Sequence, residues 1–353
     1  MTFQNSFSLN DTKHVFVIAE AGSNWKSGTY QDDLKQAKQL IDVAYNSGAD
    51  AVKFQTYRPE TVYASNAGKS DYLSKSGINE NIEDIFERHS MPYEMIPELY
   101  DYCKKIGILF MSSPFSVNDA KEIDPYVQIH KVASFEINHI RLLEFLANTG
   151  KPLIISTGAS TLDEIDFAVD LLKKKDCNEI ALLQCTSKYP SPLEKLNLST
   201  IPIMRNRYQI PVGFSDHSID PIIGPVMSIA YGSTIIEKHF TLDKMLPGPD
   251  HAFALNPDEL GKMIQSIRNA SKTIGSGKKE ILDVEEELRR FATRSIQATK
   301  KILKGDILQE GKNIEVLRPG KQPRGIEARF IFDVSGKRAN RDYDAGQGIL
   351  EYE

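Results

Sequence analysis

Residues 232–242 read GSTIIEKHFTL, and this stretch decides the fold. Ser233 to Ile236 are small or β-branched, the composition of a buried strand. Glu237, Lys238 and His239 follow at once, and then the chain turns apolar again. A buried strand that ends in two charges and an imidazole needs a place where charge is wanted. The rim of a parallel barrel, where every strand delivers its C-terminal end to one opening, is such a place.

Seven similar runs precede it: VFVIAEA (15–21), DAVKFQTY (50–57), ILFMSSPF (108–115), VQIHKVASFE (127–136), PLIISTG (152–158), IALLQCTS (180–187) and PVGFSDH (211–217). Amphipathic stretches separate most of them. In DDLKQAKQLIDVAYNSG, Leu34, Ala37, Ile41 and Ala44 share a face and Gly48 closes the segment. STLDEIDFAVDLLKKK opens with Thr161 and Glu164 at capping-box spacing. NPDELGKMIQSIRNASKTIG places Asn256 as cap and Pro257 at the first helical position. Eight strands alternating with helices predict a (β/α)₈ TIM barrel of α/β class over residues 1–275. The alternative is an open doubly wound sheet, which the lack of a G-x-G-x-x-G after the first strand weakens. Residues 58–91 form an outsized connection whose aromatics, Tyr63, Tyr72 and Phe86, fit an ordered pocket wall. Residues 276–290 are charged and read as a linker. Residues 291–353, short apolar pieces punctuated by glycine, read as a small β-rich module.

The chain has 353 residues, 41% hydrophobic and 26% charged, with 43 basic against 48 acidic side chains. No basic excess points to nucleic acid. No apolar run approaches the roughly 18–20 residues of a membrane span. The N-terminus lacks the basic and apolar regions of a signal peptide, and Cys103, Cys177 and Cys185 are too scattered for a disulfide framework. The expectation is a cytoplasmic protein with neither nucleic-acid nor membrane partners.

Polar residues gather at the predicted strand ends: Glu20; Lys53 and Gln55; Ser113; Lys131, Ser134 and Glu136; Ser156; Ser187; Ser215 and His217; Glu237 and His239. His217 and His239 end neighbouring strands. Two imidazoles there can share a divalent metal and leave positions open, with Asp216, Glu237 or Asp250 as ligands or supports. Each histidine taken alone equally fits a hydrogen bond in the core. Lys53 and Lys131 on apolar strands read as a cationic clamp for a phosphorylated acid, or as a Schiff-base nucleophile. Ser113, Ser134, Ser156 and Ser215 nearby favour the clamp. Glu20 and Glu136 are the candidate general acid or base. PGPDH (247–251) is a rigid turn presenting Asp250 and His251, CTSKYPSP (185–192) offers Tyr189, and Trp25 reads as an aromatic wall at the mouth.

Taken together, IAEAGSNW, GADAVKFQTY, FMSSPF, KVASFEI, KPLIISTG, LLQCTSKYP, VGFSDH, IEKHFTLD and GPDHAF follow the order seen in the sialic acid synthase family, which the chain resembles over nearly its whole length. The tail from RSIQATKKILKGDIL to DAGQGI resembles that family's C-terminal antifreeze-like (SAF) domain. The resemblance implies condensation of phosphoenolpyruvate with an N-acyl mannosamine-type amino sugar to a nine-carbon 2-keto acid, first of all as an N-acetylneuraminate synthase. A legionaminic or pseudaminic acid synthase is the alternative, with a Schiff-base aldolase or a non-catalytic carbohydrate-binding protein further off. It implies Mn²⁺ or Mg²⁺ on His217 and His239, and phosphoenolpyruvate on Lys53, Ser113, Lys131, Ser134, Ser156 and Ser215. It places Glu20, Gln55, Glu136, Tyr189 and Asp250 near the sugar. It also implies a domain-swapped homodimer in which Arg318 reaches the N-acyl group of a sugar in the other subunit. Trp25 departs from the histidine often found after the first strand. Ser187 stands where sialic acid members often carry asparagine.

Overall fold

Eight strands form in the first part of the chain: β1 (Phe16–Gly22), β2 (Ala51–Thr56), β3 (Leu109–Pro114), β4 (His130–Val132), β5 (Leu153–Ser156), β6 (Ile180–Cys185), β7 (Val212–Asp216) and β8 (Ile235–His239). The computed structural model describes residue 9, residues 14–70 and residues 78–353. The strands are parallel and hydrogen-bonded in the order β3-β2-β1-β8-β7-β6-β5-β4. β3 and β4 lie side by side and bring the ring near closure. This is the predicted barrel, not an open doubly wound sheet.

Strand side chains alternate between the two faces. Phe16, Ile18, Met111, Ile154, Leu183 and Ile235 form one buried cluster inside the ring. Val17, Val52, Phe54 and Ile236 face outward beneath one group of helices, and Ile155, Leu182 and Phe214 beneath another. Both faces are therefore apolar, as a parallel sheet covered on two sides requires. Fully burying one Leu or Ile side chain contributes roughly 1.5–3 kcal/mol.

The helices begin where their caps place them. Tyr30–Asn46 starts on reciprocal hydrogen bonds of Thr29 and Asp32, and buries Leu34, Ala37, Ile41 and Ala44. Leu162–Lys174 starts on Thr161 and Glu164, and Pro257–Thr273 on Asn256 and Glu259. Gly48, at φ +86°, turns the chain from the first helix toward β2.

Three expectations need correction. The fourth strand is three residues long, because beyond Val132 the chain makes a 3-10 turn, Ser134–Glu136, with Glu136 N–H bonded to Ala133 O. The connection 58–91 is not one open loop. It contains the helices Pro59–Val62 and Ile82–His89; Tyr72 lies outside the described residues. Trp25 is 1% exposed and packs in the core rather than at the mouth.

The chain divides into two compact units, Met1–Gly275 and Ser276–Glu353. In the second, the exposed helix Glu286–Ala292 precedes β9 (Ser295–Ala298), which pairs antiparallel with β10 (Ile314–Leu317). Ile296, Ile302, Leu308, Ile314, Val334 and Tyr343 form its own small core. No helix among the described residues is long and apolar enough to cross a membrane.

Candidate active site

Above the apolar cluster, the same inward alternation delivers charge. Ile18 is followed by Glu20 on β1, Ala51 by Lys53 and Gln55 on β2, Met111 by Ser113 on β3, and Ile235 by Glu237 and His239 on β8. In register, Glu20 lies beside Lys53 on one side and His239 on the other. Lys53 Nζ is 2.6 Å from Glu20 Oε2 and 3.7 Å from Glu237 Oε1, and donates to Ser113 Oγ at 3.1 Å. Lys131 Nζ donates to Ser156 Oγ at 2.6 Å and to Val132 O at 2.9 Å, and lies 4.0 Å from Glu237 Oε2. Ser215 Oγ donates to Glu237 Oε1 at 3.4 Å. Gln55 donates to Glu20 Oε1 at 2.9 Å.

Burial sets the electrostatics. It pushes the Glu20 carboxyl up to about 7 against the pull of Lys53. Glu237 feels the same burial, but Lys131 and Lys53 outweigh it and hold the carboxyl below its usual range. Burial also pulls Lys131 below its ordinary value, whereas Glu20 and Glu237 overcome it at Lys53. The result is a layer of paired opposite charges, each lysine also holding a serine hydroxyl.

The two imidazoles sit together at the rim, ring centroids 5.5 Å apart. The carbonyl of Thr186 is 3.0 Å from His217 Nδ1. Nδ1–H therefore donates to it, which in the neutral ring leaves the lone pair on Nε2. Burial, with His217 and Lys53 beside it, holds His239 well below its ordinary value and hence neutral. Its Nδ1 is buried without a hydrogen bond, 4.0 Å from Asp250 Oδ2. A neutral His239 beside His217, whose ring Cys185 and the Thr186 carbonyl push above its ordinary value against burial, suits a divalent ion that would take the place of the His217 proton and keep most of its positions for water and substrate. Among the described residues no group of three or more His, Cys, Asp or Glu side chains forms a closed metal cage. Tyr189 lies against His217, ring centroids 4.1 Å apart.

Glu136, 8% exposed, leaves Oε2 without a partner, and burial pushes its carboxyl up to about 7 although Lys131 opposes this. Ser134 Oγ accepts from the Gly158 N–H at 3.0 Å, and Ser187 Oγ is buried and unpaired. A Cβ at position 158 would sit 2.2 Å from Ser187 Oγ and 2.9 Å from Ser134 Oγ, so only glycine lets both hydroxyls approach. Gly22, at φ +52°, does the same beside Asp250 and His239.

A cavity of about 480 Å³ opens over these groups, lined by Ser23, Gln55, Ser187, Tyr189 and Asp250 on one side. Tyr57, Tyr63, Phe86, His89 and Phe135 line the other. A larger cavity, about 720 Å³, lies at the opposite end of the barrel beside Val15, Pro211 and Thr234. It has no histidine or carboxylate, so size alone misplaces the chemistry.

Several sequence candidates fall elsewhere. Asp216 and Lys238 point outward from β7 and β8 and pair with each other at 2.6 Å. Asp216 therefore supports no imidazole, because period-two alternation turns it away from Ser215 and His217. His251 turns from the mouth to Thr241 Oγ1, 2.6 Å away. Arg318 belongs to the second unit, just after β10, and is exposed. Sequence reading passed over Ser23, whose N–H and hydroxyl both donate to Asp250 Oδ2, and Cys185, 3.7 Å from His217 Nδ1. It also passed over Tyr57 and His89, both on the cavity wall. Cys185 and Tyr57 stand at ends of predicted strands, which was the available signal.

The fold, with chemistry gathered at the C-terminal ends of its strands, is that of a barrel enzyme. A profile of the NeuB family matches residues 40–279, and the chain belongs to that family. NeuB-family synthases condense phosphoenolpyruvate with a sugar and are metal-dependent as a class, which makes this chain a carbon–carbon bond-forming transferase. It is 39% identical to the spore coat polysaccharide biosynthesis protein SpsE of Bacillus subtilis, over 95% of this chain and 92% of that one. The crystal structure of SpsE matches with TM-score 0.63, covering 96% of this chain and 94% of that chain at 38% identity. The chain is 34% identical to the pseudaminic acid synthase of Campylobacter jejuni over 98% of both. The crystal structure of N-acetylneuraminic acid synthetase from Leptospira borgpetersenii, in complex with citrate, matches with TM-score 0.70 and 34% identity, covering 78% of this chain and 90% of that chain.

Proposed function

We propose that the chain joins phosphoenolpyruvate and water to the aldehyde of an N-acyl mannosamine-type sugar, giving a nine-carbon 2-keto acid and phosphate. The observation that carries this reading is the buried layer in which Lys53 and Lys131, each on a serine, lie beneath two adjacent imidazoles. In the proposal, Lys53, Lys131, Ser113, Ser134, Ser156 and Ser215 hold the phosphate and carboxylate of phosphoenolpyruvate, with C3 turned toward the sugar. Gln55, Ser187, Tyr189 and Asp250 orient the sugar. His217 and His239 hold Mn²⁺ or Mg²⁺, which when bound supplies Lewis-acid polarisation of a carbonyl oxygen. C3 attacks the aldehyde carbon, a C–C bond forms, and the aldehyde oxygen takes a proton. Water adds at C2 and gives up a proton, and phosphate leaves with its bridging oxygen as the C2–O bond breaks, taking the proton of the new C2 hydroxyl, which becomes the keto group. Glu136, poised near neutrality, takes the proton from that water, and Glu20 serves the sugar oxygen. Fixing two reactants in this way supplies about 7–11 kcal/mol at best.

N-Acetylmannosamine is the first acceptor to test. A 2,4-diacetamido-trideoxyhexose is the second, favoured by the likeness to a pseudaminic acid synthase. The proposal extends to a cytoplasmic homodimer in which the second unit is the antifreeze-like domain and Arg318 of one chain serves its partner's sugar. The test is phosphate release from purified protein with metal, phosphoenolpyruvate and each sugar. Silence with every sugar refutes the function. Activity indifferent to chelation, with borohydride trapping of pyruvate, transfers it to the Schiff-base alternative.

A further inference from the structure

β1 and β8 are neighbours in the ring, so the chain leaving β1 meets the turn beyond β8 at the rim. Three consecutive residues there, Gly22, Ser23 and Asn24, grip the β8 side. Asn24 is buried, and its Nδ2 donates at 2.8 Å to the carbonyl of Phe240, the residue after His239. Ser23 is buried too and donates twice to one oxygen of Asp250. Its hydroxyl lies 2.9 Å from Oδ2 and its N–H 3.3 Å. Gly22 permits the approach, because a Cβ there would stand 2.8 Å from Asp250 Oδ2 and 3.2 Å from His239 Nδ1. Ser23 and Asp250 are 227 residues apart in the chain, so only the closure of the ring brings them together.

The backbone of the turn is anchored separately. His251 and Thr241 are both buried and bond at 2.6 Å. Thr241 Oγ1 also donates to Asp243 O at 3.1 Å and accepts from the Asp243 N–H at 3.2 Å. Position 250 is therefore fixed through its next neighbour, and what remains to be aimed is its carboxylate. That side chain keeps 20% of its surface open, lines the cavity, and holds Oδ2 4.0 Å from His239 Nδ1. A short side chain on a turn has several rotamers open to it. Hydrogen bonds to a carboxylate are stronger than those between neutral groups, so two donors converging on one oxygen select one rotamer among them. The rotamer they select puts the charge beside an imidazole of the proposed metal pair, where the aldehyde end of an acceptor has to lie.

We propose that Ser23 is a positioning residue: with its hydroxyl and N–H it aims the Asp250 carboxylate at the acceptor from beside His239, and so sets how tightly the acceptor is held. The inference rests on the condensation proposed above.

The experiment follows phosphate release with Mn²⁺, phosphoenolpyruvate and either N-acetylmannosamine or 2,4-diacetamido-2,4,6-trideoxymannose, in wild type, Ser23→Ala, Ser23→Thr, Asp250→Ala and the double variant Ser23→Ala/Asp250→Ala. Ser23→Ala raises acceptor KM about tenfold, the worth of one hydrogen bond to a charged group, while KM for phosphoenolpyruvate stays within twofold. Ser23→Thr, which keeps both donors, recovers most of the loss. In the Asp250→Ala background, Ser23→Ala costs less than a further twofold, because its effect passes through the carboxylate. Losses that multiply in the double variant overturn the role, since they mean that the hydroxyl touches the sugar itself. Equal rises in both KM values overturn it as well, since they mark a loosened barrel. A wild type inactive with every sugar refutes the condensation instead. Hydrogen exchange of the substrate-free protein then decides the hold on Asp250 separately. Ser23→Ala speeds exchange across residues 243–255 about tenfold and leaves the helix Pro257–Thr273 unchanged; the same rates as wild type in 243–255 overturn the hold.

Discussion

Replacing Glu136 by Gln isolates the cost of a buried carboxylate. The side chain is 8% exposed and one oxygen lacks any partner. Burial raises its carboxyl from 4.5 to about 7, against the pull of Lys131. Below about pH 4.5 the group is protonated in both folded and unfolded chains and costs nothing. As pH rises toward about 7, the unfolded chain has released its proton while the folded chain retains it, so stability falls. Above about 7 the charge is buried and the full cost is present. At roughly 1.4 kcal/mol per pH unit, the interval corresponds to about 3 kcal/mol. Glu136→Gln keeps the shape and discards the charge. In urea unfolding of substrate-free protein, followed through the transition of the barrel unit, the variant gains up to about 3 kcal/mol at pH 8 and less than about 1 kcal/mol at pH 5. It also loses most of its phosphate-release activity. The same difference at both pH values, or a variant less stable at pH 8, would show that the carboxylate is solvated or paired and that desolvation does not set its acidity.

Alanine at His217 or His239 abolishes turnover, and added Mn²⁺ or Mg²⁺ restores chelated wild type but neither variant; unchanged rates in a phosphate-release assay would remove the metal from these residues. Lys53→Met or Lys131→Met raises KM for phosphoenolpyruvate by about a hundredfold or more, since each deletes a charge-assisted contact and leaves Glu237 under-compensated; a KM within twofold of wild type defeats the clamp. Lys238→Met breaks a buried pair on the outer face and lowers stability by about 3–5 kcal/mol, while isothermal titration finds the same metal affinity. A lowered metal affinity would mean that Lys238 and Asp216 act on the site after all.

The barrel was legible because its strands are nearly continuous runs of branched residues, and the rim because polar residues interrupt those runs at their C-terminal ends. Neighbouring charges were harder to read. Glu237, Lys238 and His239 are consecutive, yet strand alternation sends the first and third inward and the second out beneath the helices. Applying the period of two to IIEKH separates them, and reading the three as one cluster does not. The fourth strand was overlong because Ala133 and Ser134 carry no pattern that distinguishes a strand from a 3-10 turn. The helix Ile82–His89 escaped notice because eight residues with two buried isoleucines and a terminal histidine give too little periodicity. Trp25 was misread because a lone aromatic near a strand end looks alike at a rim and in a core, and only packing separates the two.

The apolar cluster inside the ring works as an insulating floor. Ile18, Ile154 and their neighbours exclude water from beneath Glu20, Lys53, Lys131 and Glu237, so the attraction among those groups is undiluted on one side. Hydrocarbon usually credited with holding strands together thus also governs how acidic and how basic the reacting groups are. Hollowing that floor by a few methyl groups would be felt as softened chemistry one layer higher, in a protein whose ligands had lost no contact.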